Sequence, residues 1–164
     1  MAVNGCVLAI DPGTEKSAWV HLRHMDGVTD HGYDDNSVVL EMLEHCSVDD
    51  TVLAVEMIAS YGMSVGREVF ETCVWIGRFV QAWGGKYVLV YRRDVKMHLC
   101  GNNRAKDANV RQALIDRYGP GKEKAVGTKK RMGPLHGISG DQWSALAVAV
   151  TYIDGAVPQR LEEW

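Results

Sequence analysis

Five short apolar runs along the chain have the length of buried strands. The runs at 6–10 (CVLAI), 51–56 (TVLAVE) and 87–91 (YVLVY) are rich in residues that favour strands. Residues 17–22 (SAWVHL) follow the first run across a Pro-Gly turn and predict its hairpin partner. Residues 28–33 predict another strand after an Asp-Gly turn.

Apolar residues at helical spacing fill the intervals between these strands. Asn36 is a favourable N-cap for a helix that runs to Cys46, and the stripe from Val65 to Trp83 predicts a long helix that stops at a Gly-Gly pair. Further helices are predicted at 94–100, 105–118 and 141–153, the last of them apolar nearly all round and therefore buried. Residues 119–140, with six Gly and two Pro, predict a mobile loop.

Length and composition indicate an α/β protein of one domain. The chain has 164 residues, of which 46% are hydrophobic, enough for a single full core. We therefore expect one domain over residues 1–164. No apolar run approaches the roughly 18 residues of a membrane helix, and four scattered cysteines without a CxxC pattern indicate reduced thiols. We expect a cytoplasmic protein that makes no membrane contact.

Charge is distributed unevenly along the chain. Residues 92–131 hold twelve Lys/Arg and four Asp/Glu, a net charge of +8, whereas the other residues hold six and seventeen, a net charge of −11. A solvated surface explains a few lysines, but it explains forty residues of one sign less well. The pattern favours a surface that binds a polyanion.

Three acidic residues stand at the ends of predicted elements. Asp11 follows the first strand, Glu56 ends the run at 51–56, and Asp141 begins the last helix. Taken singly, Asp141 is explained as a helix cap and Asp11 as a brace for the Pro-Gly turn. Their occurrence beside a basic segment indicates more, because carboxylates that converge from separate elements bind Mg²⁺, and a pair of such ions supports phosphodiester hydrolysis.

Four motifs follow one another along nearly the whole chain: AIDPGT, AVE, DVKMHLCGNNRAKDANVRQAL and SALAVAVTY. Their order resembles that of the RuvC-like Holliday junction resolvases, particularly the short forms encoded by bacteriophages. The resemblance implies an RNase H-like fold, with a mixed five-stranded sheet that begins with three antiparallel strands and is flanked by helices. It also implies a homodimer, two Mg²⁺ or Mn²⁺ ions per site, and paired nicks in four-way junction DNA.

The resemblance also assigns the acids. Asp11, Glu56 and Asp141 take the positions of the catalytic metal ligands, with Asp11 bridging the two ions. Members of the family usually carry a further ligand three residues after the last acid, where this chain has Ser144. A serine hydroxyl is a poor substitute for a carboxylate at a metal. Either three acids suffice, or His136 in the preceding loop assists, or the enzyme is weak.

Basic residues of the same region are candidates for phosphate contacts, which give affinity without sequence information. One group lies in the segment that resembles the DNA-contacting region of the family, and the other lies in the loop before the last helix; the candidates are Lys96, Arg104, Lys106, Arg111, Lys129, Lys130 and Arg131. Tyr61 lies on a Gly-containing turn. The resemblance implies that this turn enters the junction, where the ring stacks on an opened base pair; packing against the edge of the core is the alternative.

The leading interpretation is a Mg²⁺-dependent, structure-selective endonuclease that acts on four-way or branched DNA as a dimer. A first alternative is a junction-binding protein that has lost cleavage, which the serine at position 144 would explain. A second alternative is an actin-like ATPase, because DPGT followed by a hairpin also resembles the phosphate loop of that class. Such ATPases need a second nucleotide-binding subdomain, for which 164 residues leave little room.

Overall fold

The structure, a computed structural model, describes residues 5–158, so both ends of the predicted domain lie outside the described residues. Within this range the elements are β1 (Cys6–Asp11), β2 (Lys16–Arg23), β3 (Gly27–Asp35), α1 (Asn36–His45), β4 (Thr51–Met57), α2 (Arg67–Trp83), β5 (Tyr87–Tyr91), α3 (Arg92–Cys100), α4 (Asp107–Tyr118), α5 (Lys122–Ala125), β6 (Gly127–Thr128), β7 (Arg131–Met132) and α6 (Gln142–Ile153). The five predicted strands and the five predicted helices are all confirmed, with shifts at their ends.

One mixed sheet of five strands, in the order β3-β2-β1-β4-β5, forms the centre of the described part of the chain. The first three strands are antiparallel, and β4 and β5 run parallel to β1. A mixed five-stranded sheet with three antiparallel strands first is what the family resemblance implies. Because Ile10 pairs with Val55 in the parallel register, the next residues, Asp11 and Glu56, lie side by side at the carboxyl ends of β1 and β4.

Alternation along the strands divides the core between the two faces of the sheet. Val7 and Ala9 of β1 are buried against α6, whereas Leu8 and Ile10 are buried on the opposite face with α1 and α2. Helix α6 lies against β1, β2 and β4, which explains why it is apolar nearly all round. The start of α6 therefore points to the same end of the sheet as the predicted acids.

Two details of the sequence interpretation are wrong. Asn36 is not a helix cap but the first residue of α1, and its buried side chain accepts a hydrogen bond from Ser17 Oγ at 2.6 Å and donates one to the Gly13 carbonyl at 2.9 Å. Helix α3 begins at Arg92 rather than Asp94. The hydrogen bonds of Asn36 stabilise the turn after Asp11, and the earlier start of α3 places Arg92 directly after β5.

Residues 119–140 form ordered structure, contrary to the prediction of a mobile loop. The short helix α5 and the β6–β7 hairpin lie in this segment. Ala125, Leu135 and Ile138 are buried in the core that α6 shares with the sheet, and the Leu135 amide donates to the Ala125 carbonyl at 2.8 Å. These three apolar residues tie the segment down despite its glycines.

Within residues 5–158, no helix combines the length and the hydropathy that crossing a bilayer requires.

Candidate active site

The three predicted acids line one cavity of about 390 Å³ at the carboxyl ends of β1 and β4. Asp11 is the last residue of β1, Glu56 is the penultimate residue of β4, and Asp141 immediately precedes α6. Parallel strands direct their carboxyl ends to one edge of a sheet, and the packing of α6 adds the third acid. The convergence expected from the sequence is therefore present in the structure.

A tight turn holds Asp11 in place. Gly13 follows within two residues, and a Cβ atom at its position would stand 2.3 Å from the Lys16 carbonyl oxygen, so the turn requires glycine. The Gly13 amide donates to Ser17 Oγ at 3.2 Å, and Asn36 closes the same network from α1. Strand, turn and helix thus fix the backbone that carries the carboxylate.

The acids lie close enough to influence one another's protonation, so they form one cluster and not three independent helix or turn caps. The pKa of Asp11 is raised to about 8, mainly by burial and in addition by the negative charges of Glu56 and Asp141. Burial also raises the pKa of Glu56, which is only 8% exposed, while Arg92 opposes the shift. The side chains of Asp11 and Glu56 are hydrogen-bonded. One proton is therefore held between these two carboxyl groups near neutral pH.

Arg92 is the basic residue that contacts the acids most directly. Its Nη1 donates to Glu56 Oε1 at 3.0 Å, and its Nη2 donates to Asp107 Oδ1 at 3.0 Å. The hydrogen bond from Arg92 is the main cause of the lowered pKa of Asp107. Lys96 Nζ lies 3.8 Å from the same Asp107 oxygen. Acidic and basic side chains of the cavity are thus joined in one network.

The sequence interpretation did not single out Arg92 or Asp107. A usable signal was present, because Arg92 directly follows the run YVLVY just as Asp11 follows CVLAI. A charged residue at the carboxyl end of a parallel strand next to β4 must lie near Glu56. Asp107 carried no comparable signal, since it is an exposed residue at the start of α4.

The chemistry of the donors fits a divalent metal ion. Carboxylate oxygens from three elements are the ligands that hard cations prefer, and burial, with the neighbouring charges of Glu56 and Asp141, raises the pKa of Asp11. Residues 5–158 nevertheless contain no group of three or more His, Cys, Asp or Glu side chains already arranged to hold a metal. Glu56 is engaged by Arg92 instead, so binding would require the acids to lose their shared proton and reorient.

Comparison of the whole chain with known proteins bears on this arrangement. No protein-family model matches the sequence, and no curated protein matches it. Solved structures of Thermus thermophilus RuvC do match: one covers 89% of this chain and 92% of its own, with a TM-score of 0.61 and 18% identity. Another, T. thermophilus RuvC in complex with Holliday junction substrate, covers 93% of this chain and 94% of its own, with the same TM-score and identity. The fold is RNase H-like and similar to that of RuvC.

The two candidates for a fourth ligand lie in different places. Ser144 lines the cavity, where Arg92 Nη2 stands 3.5 Å from its hydroxyl oxygen. His136 does not line the cavity; its Nδ1 lies 3.2 Å from the Val126 carbonyl oxygen. The structure therefore gives no support to His136 as a replacement ligand in this RuvC-like fold.

The predicted basic residues divide into two groups. Lys96 and Arg111 line the cavity, and the Arg111 guanidinium lies 4.8 Å from the ring centre of Trp143, another lining residue. The remaining candidates are exposed and lie outside the cavity wall, on the α3–α4 connection and on the β6–β7 hairpin; they are Arg104, Lys106, Lys129, Lys130 and Arg131. Of these candidates, Lys96 and Arg111 form part of the cavity wall.

Tyr61 lies on an exposed turn after β4. Its side chain is 60% exposed, which is incompatible with packing against the edge of the core. Its backbone adopts φ 48°, and the following Gly62 adopts φ 80°. A left-handed conformation is unfavourable for a tyrosine, so the turn holds the ring outward at some energetic cost.

Proposed function

We propose that this protein is a divalent-metal-dependent, structure-selective DNA endonuclease that resolves four-way junctions by paired nicking. The observation that carries the proposal is the convergence of Asp11, Glu56 and Asp141 in one cavity that Lys96 and Arg111 also line. The RuvC-like fold supports it, since one matched structure is that of T. thermophilus RuvC with Holliday junction substrate. That the chain is a bacteriophage short form acting in a bacterial cytoplasm stays a prediction.

The acids form the metal-binding part of this proposed site. Asp11, Glu56 and Asp141 would hold Mg²⁺ or Mn²⁺ once their shared proton is released. Held by these carboxylates, a divalent ion would supply activation of a water molecule for attack on the phosphodiester and stabilisation of the leaving oxygen. Asp11 and Glu56 would be held in fixed positions for this role, because they lie on paired strands of the sheet.

The basic side chains supply the affinity for DNA. Lys96 and Arg111 on the cavity wall would neutralise the phosphate that enters the site. The exposed lysines and arginines of the basic segment would extend this contact along the DNA backbone, which carries no sequence information. Tyr61 would stack on a base at the opened centre of the junction. Selectivity then comes from the shape of the junction.

A homodimer is the assembly that paired nicking requires. Phe70 and Val74 of α2 are 63% and 62% exposed and lie one helical turn apart. Gly77 and Gln81 continue the same row along the helix, and a Cβ atom at Gly77 would meet no atom within 4 Å. We propose that this row, the α2 outer face, contacts a second copy of the chain.

Junction binding without cleavage is the second candidate function. The observation that favours it is the state of the acidic side, where Glu56 is paired with Arg92 and Ser144 offers no carboxylate. An actin-like ATPase receives no support, since residues 5–158 hold one five-stranded sheet and a two-stranded hairpin and no second subdomain.

A cleavage assay distinguishes these functions. We would incubate the protein with an end-labelled four-way junction or a matched linear duplex, in Mg²⁺ or in EDTA. Paired nicks near the crossover that require Mg²⁺ and vanish in Asp11→Asn are the expected result, with the exposed Asp49→Asn as the matched control. Tight junction binding without nicks, in Mn²⁺ as well, would establish the second candidate. Equal binding of junction and duplex would exclude both.

A further inference from the structure

Arg92 connects more elements of the site than any other basic residue described here. It begins α3 directly after β5, and its guanidinium contacts Glu56 on β4, Asp107 at the start of α4 and Ser144 on α6. The two shortest contacts are both 3.0 Å and use different nitrogens, so the planar guanidinium bridges two carboxylates. These two contacts hold the Arg92 side chain in one position within the site.

The Arg92 guanidinium already supplies positive charge to two of the carboxylates that line the cavity, Glu56 and Asp107. Glu56 is nearly buried, and a buried carboxylate requires a cation or a proton. On the side towards Asp11 and Asp141, residues 5–158 place no salt-bridge partner, so a divalent ion can supply that charge. On the side towards Asp107 and Ser144 it is supplied by Arg92, which stays protonated at all accessible pH values.

A second divalent ion on the Ser144 side would meet unfavourable conditions. It would share Glu56 with a fixed positive charge 3.0 Å from that carboxylate, and its other donor would be the neutral Ser144 hydroxyl. Repulsion between cations at such distances in a partly buried site is large compared with the affinity that one hydroxyl supplies.

We propose that Arg92 is a built-in cation of the active site, and that the site consequently binds one divalent ion per chain instead of the two that the resemblance implies. The inference rests on the proposed function, because it concerns the same acids. It makes Arg92 a positioning residue that orients Glu56 and holds the charge on the Ser144 side. It also explains why a carboxylate is not needed at position 144.

Counting bound Mn²⁺ tests the proposal without any cleavage assay. Electron paramagnetic resonance of free Mn²⁺ during a titration gives the number of ions bound by the folded protein. We expect one ion per wild-type chain. In Arg92→Ala the freed oxygens of Glu56 and Asp107, both 3.0 Å from the lost guanidinium nitrogens, accept a second ion. The double variant Arg92→Ala/Asp107→Asn returns to one ion, and Arg93→Ala, an exposed neighbour, stays at one.

Each contrary result has a distinct meaning. Two ions on the wild-type chain would overturn the inference and leave the proposed function intact, whereas no bound ion would overturn both. One ion on Arg92→Ala would show that Arg92 only supports the fold. If Arg92→Ala does not fold, Ser144→Asp decides the matter. Its new carboxylate should pair with Arg92 and leave one ion bound, and a second ion on this variant would overturn the inference.

Discussion

At the scale of single residues, the unusual feature is a carboxyl group that prefers its proton. The pKa of Asp11 is raised to about 8 from an ordinary value of 3.8, first by burial and then by Glu56 and Asp141. In the unfolded chain the same group ionises near pH 4. Between these values the folded state binds a proton that the unfolded state lacks, so the stability of the metal-free protein falls as the pH rises from about 4 to 8.

Asp11→Asn removes this penalty. In EDTA the variant should be as stable as wild type below about pH 4, and its advantage in free energy of unfolding should grow through neutral pH to about 5 kcal/mol above pH 8, a rise in Tm of about 15 °C. Thermal unfolding followed by circular dichroism across the pH range measures this. Addition of Mg²⁺ should raise the Tm of wild type but not of the variant. A wild type whose stability rises from pH 4 to 8 would contradict the assignment.

Tyr61 gives a second prediction for a single residue. Its left-handed backbone lowers stability, whereas its ring is proposed to strengthen junction binding. Tyr61→Gly should cost no stability, since glycine adopts φ 48° freely where tyrosine pays about 1 kcal/mol. The same change should weaken junction binding about tenfold, because stacking on a base is worth about 1–3 kcal/mol. Gel-shift titration measures this, and Tyr61→Phe, which keeps the ring, is the control. Wild-type affinity in Tyr61→Gly would contradict the stacking role.

Sequence predicted the acids of the site but not their cation, for a physical reason. Asp11, Glu56 and Asp141 stand out because a charge beside an apolar run is costly to bury without a partner. Arg92 lies among the twelve basic residues of the segment 92–131, where an arginine facing a phosphate and one facing a carboxylate look alike. Only the pairing of β4 with β5, which brings Glu56 beside Val90, decides between them.

At the scale of elements, the β6–β7 hairpin shows how a glycine-rich segment can be ordered. Its glycines are required by close backbone contacts, since a Cβ atom at Gly127 would stand 2.1 Å from the Arg131 carbonyl oxygen. The sequence prediction weighed the number of glycines and overlooked the three apolar anchors around them. The consequence is that Lys129, Lys130 and Arg131 project from a fixed hairpin instead of a mobile loop.

Replacement of these three residues by glutamine should weaken binding of every DNA tested, junction or duplex, to a similar degree. Each phosphate contact releases counterions, so the slope of log affinity against log salt should become smaller by about 2.7 for three contacts. Fluorescence anisotropy between low and moderate salt measures the slope. A triple glutamine variant of Arg23, Arg67 and Lys86, which lie outside the basic segment, should keep the wild-type slope. An unchanged slope in the hairpin variant would exclude its contact with DNA.

At the scale of the whole molecule, the order of the elements was predictable because the apolar runs and stripes are long and regular. The burial of α6 follows from them, whereas the mixed sheet was expected from the family resemblance and the order of its strands comes from the structure. The assembly was not predictable in the same way. The predicted stripe on α2 is only partly the buried face. Ile76 and Trp83 of the stripe are buried, but Val69 and Cys73 are only partly buried, and Thr72 and Phe79 are buried instead. Apolar residues occur on more than one face of α2, so their spacing does not identify the buried face. Two of them, Phe70 and Val74, are exposed.

Phe70→Asp tests whether this α2 outer face joins two copies of the chain. A charge at the centre of an apolar contact should raise the dimer dissociation constant by about 30-fold or more, as for the loss of an interface residue worth about 2 kcal/mol. Analytical ultracentrifugation measures the assembly. Met25→Asp places the same charge on the turn between β2 and β3, where Met25 is 87% exposed, and should leave the assembly unchanged.

The same variant separates assembly from chemistry. A monomer keeps its own acids and metal site, because Phe70 lies on α2 and does not line the cavity. Phe70→Asp should therefore still nick a junction, but the two strands should be cut independently, so singly nicked junctions accumulate before resolved duplexes. Sampling the reaction at early times on a supercoiled plasmid that extrudes a cruciform distinguishes nicked circles from linear product. A monomeric variant that yields linear product directly would show that paired nicking does not depend on the dimer.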